Sequence, residues 1–212
     1  MTGETVTIPG SREAEATLDE PSDGASVCVV ACPPHPRHGG NRADGRLKAV
    51  SEALEERGIA TLRFDYGEWD HGEGEREDTR NALRWAADRF EHVGIFGYSF
   101  GGAMAASAAA TTDVDLCAVS FLSPASRIGL ERSVEETVAA IDAPLLLVGG
   151  SRDDTAQWEP YRSAVESRGG AVTELGADHF FVGQWERVGS TVASFVQEAC
   201  EIAGAGRRSE MV

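Results

Sequence analysis

The feature that most constrains the fold is the stretch 94–102, which reads GIFGYSFGG. A short apolar run at 93–96 leads into Gly-x-Ser-x-Gly centred on Ser99, and an alanine-rich run of helical character follows. This layout is typical of a strand that turns sharply into a helix and presents a serine at the turn. Gly97 and Gly101 would let the strand and the helix approach closely, because glycine has no Cβ.

The Gly-x-Ser-x-Gly pentapeptide is weak evidence by itself, because a chain with 24 glycines among 212 residues can contain it by chance. The alternative interpretation is a glycine-rich turn between a strand and a helix that carries an incidental serine. Only the structural context and the partner residues elsewhere in the chain can separate these two interpretations.

Apolar runs of strand length alternate with segments of helical spacing from residue 25 onward. The predicted strands are 25–32, 59–64, 93–96, 116–122, 144–149 and 171–175. The predicted helices are 47–57, 77–90, 102–111, 158–167 and 183–203. This alternation indicates the α/β class, with a mostly parallel central sheet and helices on both faces. In such a sheet, functional loops follow the carboxyl ends of the strands.

The length favours a single domain, 1–212, with one full hydrophobic core. Residues 1–24 are expected to contain an N-terminal β-hairpin, because 5–8 and 13–18 alternate around a Pro-Gly-Ser turn. Residues 125–141 are expected to form a short, partly helical excursion in place of a large cap. The last segment, 204–212, is expected to be a frayed tail.

The charge balance is strongly acidic, since 35 Asp and Glu residues outweigh 19 Lys and Arg residues and give a net charge of −16. Lys48 is the only lysine. Such a surface argues against nucleic acid or an anionic membrane as a partner. An acidic, lysine-poor surface is typical of halophilic proteins, because concentrated salt screens the self-repulsion. The alternative is an ordinary acidic protein from a GC-rich genome, which also favours arginine over lysine.

No apolar run reaches the length of a membrane span, and the first residues lack the basic and apolar regions of a secretory signal. We therefore expect a cytoplasmic protein. The chain has four cysteines, which are Cys28, Cys32, Cys117 and Cys200. They show no zinc-type spacing, and in a chain without an export signal we expect buried free thiols.

A serine nucleophile needs a base within hydrogen-bond reach and an acid that orients the base. In α/β sheets that carry this motif, the chain order is serine, then Asp or Glu, then His. Among the five histidines only His179 follows Ser99, and it lies directly after the last predicted strand. The acid is expected after the strand 144–149, where Asp153 and Asp154 both qualify and Asp153 is favoured. The candidate catalytic residues are therefore Ser99, Asp153 and His179.

An acyl-transfer site also needs two N–H donors for the negatively charged oxygen of the tetrahedral intermediate. The backbone amide of Phe100, the residue after the serine, is the first candidate. The second is expected from the loop after the strand 25–32, which reads CPPHPRHGG. Since its prolines have no N–H, the backbone amide of His35 is the first available donor. His35 and His38 lack an identifiable third ligand, so neither a metal ion nor another cofactor is expected.

Five segments, CPPHPRHGGN, RFDYGEWDHGEG, GYSFGG, LLLVGGSRDD and GADHFF, each accompany the end of a predicted strand. Together they resemble the α/β-hydrolase superfamily over residues 25–200, particularly its small, lid-poor branch of dienelactone-hydrolase-like and esterase-like proteins. The resemblance implies an α/β-hydrolase fold, with Ser99 as the nucleophile, Asp153 as the acid and His179 as the base. Dienelactone hydrolases proper use a cysteine nucleophile, whereas this chain has a serine.

The leading hypothesis is a serine hydrolase that cleaves a carboxylic ester or a related small acyl substrate through an acyl-enzyme. Thioesterase, peptidase and acyltransferase activities use the same machinery and stay open. Without a large cap the site should be open, with Trp69, Phe180 and Trp185 as candidate pocket walls, while Phe121 is expected in the core. The alternative is a non-catalytic protein of the same fold that binds a small molecule or a protein partner.

Overall fold

The computed structural model describes residues 3–126 and 132–210, with side chains described as far as residue 203. The strands are β1 (Glu4–Ile8), β2 (Ala14–Asp19), β3 (Val27–Cys32), β4 (Ala60–Phe64), β5 (His92–Tyr98), β6 (Leu116–Leu122), β7 (Leu145–Gly150) and β8 (Ala171–Leu175). The helices are α1 (Gly45–Glu55), α2 (Glu73–Ala87), α3 (Phe100–Ala109), α4 (Val134–Ala139), α5 (Glu159–Ser167) and α6 (Trp185–Glu210). A short 3₁₀ turn covers Pro36–His38.

The strands of the described residues form one sheet in the order β1-β2-β4-β3-β5-β6-β7-β8. β1 pairs antiparallel with β2, and β2 pairs antiparallel with β4. The remaining pairings in this sheet are parallel. The N-terminal hairpin thus extends one edge of a parallel sheet, and the predicted α/β fold class is confirmed.

Each face of the sheet carries its own hydrophobic layer. Side chains of β3 alternate between the layers, with Cys28 and Cys32 in one and Val29 and Ala31 in the other. The first layer includes buried residues of α2, α3 and α5, and the second includes buried residues of α1 and α6. A central strand whose two faces are both covered by helices is apolar throughout, which explains the continuous apolar run of this segment.

Helix α2 begins earlier than the sequence predicted. The sequence predicted this helix over 77–90, whereas α2 covers Glu73–Ala87. The buried carboxylate of Glu75 accepts hydrogen bonds from the amides of Asp70 (2.9 Å) and Gly72 (2.8 Å). These bonds fix the chain just before the helix and satisfy amides that a helix start leaves without backbone partners.

Two further segments differ from the expectation or extend beyond it. Helix α6 continues to Glu210, so residues 204–210, predicted as a frayed tail, are helical. Within the expected excursion at 125–141 the structure shows α4, and residues 127–131 lie outside the described part. In the ranges 3–126 and 132–210, no helix is both long enough and apolar enough to cross a bilayer.

The expectation of four free thiols is wrong for one pair of cysteines. Cys117 of β6 and Cys200 of α6 form a disulfide, with their Cα atoms 4.9 Å apart. Because α6 packs across β6, folding brings together two residues that are 83 positions apart, a pairing that their spacing does not reveal. Cys28 and Cys32 are free and buried in one layer, as expected. The disulfide removes the cysteine part of the case for a cytoplasmic protein.

We expect two reactive thiols per chain after denaturation without a reductant, and four after reduction. The disulfide protects Cys117 and Cys200, whereas denaturation exposes Cys28 and Cys32. Thiol titration in guanidinium chloride measures both numbers, and a Cys28→Ala variant is the control that should lower each by one. Reduction should also lower the free energy of unfolding by about 2–4 kcal/mol. Four reactive thiols without a reductant would contradict the disulfide.

Candidate active site

Ser99 lies in the turn between β5, whose last residue is Tyr98, and α3, whose first residue is Phe100. Its φ of 56° and ψ of −117° are a conformation that residues other than glycine rarely adopt. The end of β6 holds this turn, because the Ser99 amide donates to the carbonyl oxygen of Leu122 (2.9 Å) and its own carbonyl accepts from the amide of Ala125 (3.0 Å). Strained single residues of this kind concentrate at functional sites.

Two glycines allow three backbone segments to meet at the turn. A Cβ on Gly97 would lie 2.1 Å from the carbonyl oxygen of Gly101. A Cβ on Gly101 would lie 2.2 Å from the carbonyl oxygen of Cys32 and 2.4 Å from that of Pro33. The start of α3 therefore packs against its own strand and against the loop after β3. The close approach that the sequence predicted at these glycines is confirmed.

Three side chains from separate loops meet beside this turn. The Oγ of Ser99 lies 3.0 Å from Nε2 of His179, and Nδ1 of His179 lies 2.8 Å from Oδ2 of Asp153. Ser99 follows β5, Asp153 follows β7 and His179 follows β8, so each comes from the carboxyl end of a strand. His179 and Asp153 are buried. The structure thus brings together the three residues that the sequence analysis named.

Asp153 is held by its surroundings as a carboxylate. Its Oδ1 accepts hydrogen bonds from the amides of Thr155 (2.9 Å) and Ala156 (3.1 Å), while Oδ2 contacts His179. Burial raises the pKa of Asp153, but the hydrogen bonds from His179 and from the Ala156 amide outweigh burial and lower this pKa to about 2. Asp154 is exposed, and among the described residues its carboxylate accepts one long hydrogen bond, 3.4 Å, from the hydroxyl of Thr155. The geometry therefore favours Asp153 over Asp154 as the carboxylate that orients His179.

The loop after β3 packs beside the helix start, and nearly all of its amides are engaged. Three of its residues are prolines, which have no N–H. The engaged amides donate to the backbone or ring of the loop itself, and they belong to Arg37, His38, Gly39 and Gly40. In the described part of the chain, the amide of His35 donates to no backbone or ring acceptor of this loop. Within residues 33–40, His35 is therefore the described residue whose N–H donates to no group of the loop.

Aromatic side chains lie in the loops around the site. Trp69 stacks on His35, with ring centroids 4.5 Å apart. Phe180 in the loop after β8 is 54% exposed, and Trp185 at the start of α6 is 38% exposed, so both leave apolar surface uncovered. Phe121 is fully buried in the core, as expected. Among the described residues, no group of three or more His, Cys, Asp or Glu side chains is arranged to hold a metal ion.

Two residues that the sequence analysis did not single out also contact this region. Tyr98 donates a hydrogen bond from its hydroxyl to the carbonyl oxygen of His179, at 3.0 Å. The guanidinium carbon of Arg46 lies 4.5 Å from the centre of the Tyr98 ring. Tyr98 precedes the serine in the sequence, but nothing there indicates that its partner is 81 residues away. Arg46 directly precedes the predicted helix 47–57, and nothing in the sequence indicates its contact with Tyr98.

Comparison with solved structures gives matches over most of the chain. An α/β serine hydrolase homologue from Coxiella burnetii has 26% sequence identity and a TM-score of 0.77, over 92% of this chain and 97% of that chain. Est1E from Butyrivibrio proteoclasticus has 21% identity and a TM-score of 0.79, over 94% and 99% of the two chains. An α/β serine hydrolase without a lid, from Xanthomonas campestris, has 20% identity and a TM-score of 0.73, over 95% and 94%.

The chain therefore has the α/β-hydrolase fold, as the resemblance implied. A dienelactone hydrolase from Anabaena variabilis is among the further structural matches, so the similarity to lid-less esterases and dienelactone hydrolases is confirmed. No family model matches the sequence, and no curated protein does. The structural neighbours are serine hydrolases and esterases, which supports a hydrolase function for this chain.

Replacing Asp153 with Asn should lower stability in a pH-dependent way. The pKa of Asp153 is below its ordinary value of 3.8 in the folded state, so its carboxylate stabilises the fold above that value. This contribution is lost as the pH falls toward about 2. The difference in free energy of unfolding between wild type and Asp153→Asn should therefore be largest at neutral pH and should decrease below pH ~4.

Urea denaturation at several pH values measures this difference. Asp154→Asn is the matched control, because the neighbouring carboxylate is exposed, and its effect should stay within about 0.5 kcal/mol at neutral pH. A difference between wild type and Asp153→Asn that does not change with pH would show that Asp153 is not held as a hydrogen-bonded carboxylate.

Proposed function

We propose that this protein is a serine hydrolase that cleaves a carboxylic ester or a related small acyl substrate. The observation that carries the proposal is the continuous chain of contacts from the Ser99 hydroxyl through His179 to Asp153. A serine hydroxyl is a weak nucleophile unless a base takes its proton, and an imidazole needs an acid to hold its orientation. Each requirement has a side chain within 3.0 Å that can meet it.

The reaction proceeds in two halves. The Oγ of Ser99 attacks the carbonyl carbon of the substrate while Nε2 of His179 takes the hydroxyl proton. The tetrahedral intermediate collapses, and His179 gives that proton to the departing alcohol, which leaves an acyl group on Ser99. A water molecule then attacks the acyl carbon while His179 takes its proton; the bond between the acyl carbon and Oγ breaks, His179 returns the proton to Ser99, and the acid product leaves. Asp153 stays ionised throughout and stabilises the imidazolium that forms in each half.

Two backbone amides are proposed to bind the negatively charged oxygen of the intermediate. Phe100 is the first residue of α3, where a helix leaves amides without internal partners and carries a partial positive charge. His35 is proposed to supply the second amide, because the other N–H groups within 33–40 donate inside the loop. Gly101 packs against the carbonyls of Cys32 and Pro33, which brings this loop to the start of the helix.

The substrate is proposed to carry a small or aromatic acyl group. Ferulic acid is bound to Est1E in one of the solved structures, which is an aromatic ligand on a related fold. In this chain Trp69 lies against the loop of His35. Phe180 lies beside the His179 ring, Trp185 contacts Phe180, and both expose apolar surface. Flat or flexible apolar groups fit such surfaces, because burying them releases water from both partners.

The alternative function is that of a non-catalytic protein that binds a small molecule or a protein partner on the same fold. Folds of this kind host unrelated functions, so the fold alone does not decide between catalysis and binding. The serine, the histidine and the aspartate within hydrogen-bond distance favour the catalytic function, because binding alone does not require them. Thioesters, amides and acyl transfer to another alcohol use the same machinery, and a substrate panel separates them.

The Ser99→Ala variant should lose hydrolysis of p-nitrophenyl acetate, p-nitrophenyl butyrate and an aromatic methyl ester. Removing the nucleophile of such a triad lowers kcat by about 10⁴-fold or more. A fluorophosphonate probe should label wild type and leave Ser99→Ala unlabelled. The matched control is Ser151→Ala, which removes an exposed serine and should keep both properties. Equal labelling and equal turnover in wild type and Ser99→Ala would refute the proposal and favour the binding protein.

The His35→Pro variant tests the amide that the oxyanion is proposed to use. His35 has a φ of −57°, which proline adopts, so the substitution removes the N–H without changing this angle. We expect kcat to fall by about 10²–10³-fold, as for loss of one oxyanion donor. His35→Ala is the control that keeps the amide and removes the ring, and it should retain most of kcat. An equal loss in the two variants would assign the effect to the ring instead.

A further inference from the structure

The loop that carries His179 is held by side chains from other elements. The hydroxyl of Tyr98 donates to the carbonyl oxygen of His179 at 3.0 Å, and the two rings lie 5.2 Å apart. Tyr98 is the residue directly before Ser99, and it is 2% exposed. One side chain therefore connects the serine turn to the backbone of the histidine. A buried hydroxyl without this partner would be destabilising, so the bond favours one position of the loop.

Arg46, in the first turn of α1, supports both Tyr98 and the next residue of the loop. Its guanidinium carbon lies 4.5 Å from the centre of the Tyr98 ring, and its Nη1 lies 3.4 Å from the carbonyl oxygen of Phe180. Its Nε lies 2.8 Å from Oδ1 of Asp44, which fixes the orientation of the planar guanidinium. Arg46 thus contacts the aromatic ring and the loop backbone from one anchored position.

Trp185, the first residue of α6, contacts both the loop backbone and Arg46. Its Nε1 donates to the carbonyl oxygen of Phe180 at 2.9 Å, and its ring lies 5.6 Å from the guanidinium carbon of Arg46. A Cβ on Gly45 would lie 2.5 Å from this ring, so the indole packs directly on the backbone of α1. The first turn of α1 and the start of α6 therefore hold the same loop between them.

We infer that Tyr98 and Arg46 are positioning residues, which hold the backbone at 179–180 so that the His179 imidazole stays aligned between Ser99 and Asp153. The inference rests on the proposed function, since it concerns the base of that reaction. Both residues contact the main chain of the histidine loop, and the Tyr98 ring also lies beside the His179 ring. Burial raises the pKa of the Tyr98 hydroxyl, so it keeps its proton and remains a donor at the pH of an assay.

The Tyr98→Phe variant removes only the hydroxyl that holds His179. We expect kcat for ester hydrolysis to fall by about three- to tenfold, the effect of losing one neutral hydrogen bond, while KM changes little. Tyr161→Phe is the matched control, because Tyr161 is also fully buried and its hydroxyl has no partner among the described residues. That control should leave kcat unchanged. An unchanged kcat in Tyr98→Phe would overturn the inference.

The Arg46→Lys variant keeps the charge and loses the planar fork that contacts Asp44 and Phe180. We expect kcat to fall in Arg46→Lys as well. In the double variant Tyr98→Phe/Arg46→Lys, the fold-decrease in kcat should be smaller than the product of the two single fold-decreases. Residues that act through one shared element are not additive, whereas independent residues are. Fully multiplicative effects would contradict a common action on the histidine loop.

A measurement without turnover separates this inference from the proposed function. The proton between His179 Nδ1 and Asp153 can be followed by NMR, and its exchange with water should be faster in Tyr98→Phe than in wild type or Tyr161→Phe. If Ser99→Ala keeps full activity, the proposed function fails, and the exchange rates still test the positioning. Equal exchange rates in all three proteins would refute the positioning role even in an active enzyme.

Discussion

The close packing of Gly101 against the carbonyls of Cys32 and Pro33 is the constraint on which the site depends. Any side chain at Gly101 would push the start of α3 away from the loop after β3, and the same holds at Gly97 for the approach of the helix to its own strand. This packing forces the turn to be tight, and the tight turn places Ser99 at positive φ. Hydrogen bonds from the end of β6 hold the strained residue, so the strain is maintained by the parallel sheet.

Parallel strands carry this constraint to the other functional residues. β3, β5, β7 and β8 all point their carboxyl ends to the same edge of the sheet, so four loops that are distant in sequence meet there. In the resulting geometry, hydrogen bonds align the hydroxyl, the imidazole and the carboxylate. The contact of Tyr98 with the backbone of His179 adds a direct link between two of these loops.

Local chemistry could be predicted from the sequence wherever neighbouring residues decide it. The bounds of β6 and β8 agree with the predicted ranges, because apolar runs and turn residues mark both ends. The start of α2 could not be predicted, because it depends on how the buried Glu75 carboxylate meets amides of the preceding loop. Cys117 and Cys200 are 83 positions apart, and the packing of α6 on β6 brings them together. Tyr98 and His179 are 81 positions apart, and they meet because the carboxyl ends of β5 and β8 lie at the same edge of the sheet. The sequence left Asp153 and Asp154 both open, with Asp153 favoured, and in the structure the amides of Thr155 and Ala156 donate to Asp153.

The acidic composition and the chemistry of the site act over different distances. A net charge of −16 repels further negative charge, yet the pKa of Asp153 is lowered, because its donors lie 2.8–3.1 Å away in a buried position. Salt screens exposed charges beyond about 8 Å at physiological ionic strength and beyond about 3 Å at 1 M, but it screens buried pairs much less. Concentrated salt therefore weakens the repulsion between surface carboxylates far more than it affects the contact between His179 and Asp153. A halophilic adaptation of this chain, which the composition suggests, would consequently be a property of its surface and would leave the alignment of Ser99 with His179 to the packing of the sheet and its loops.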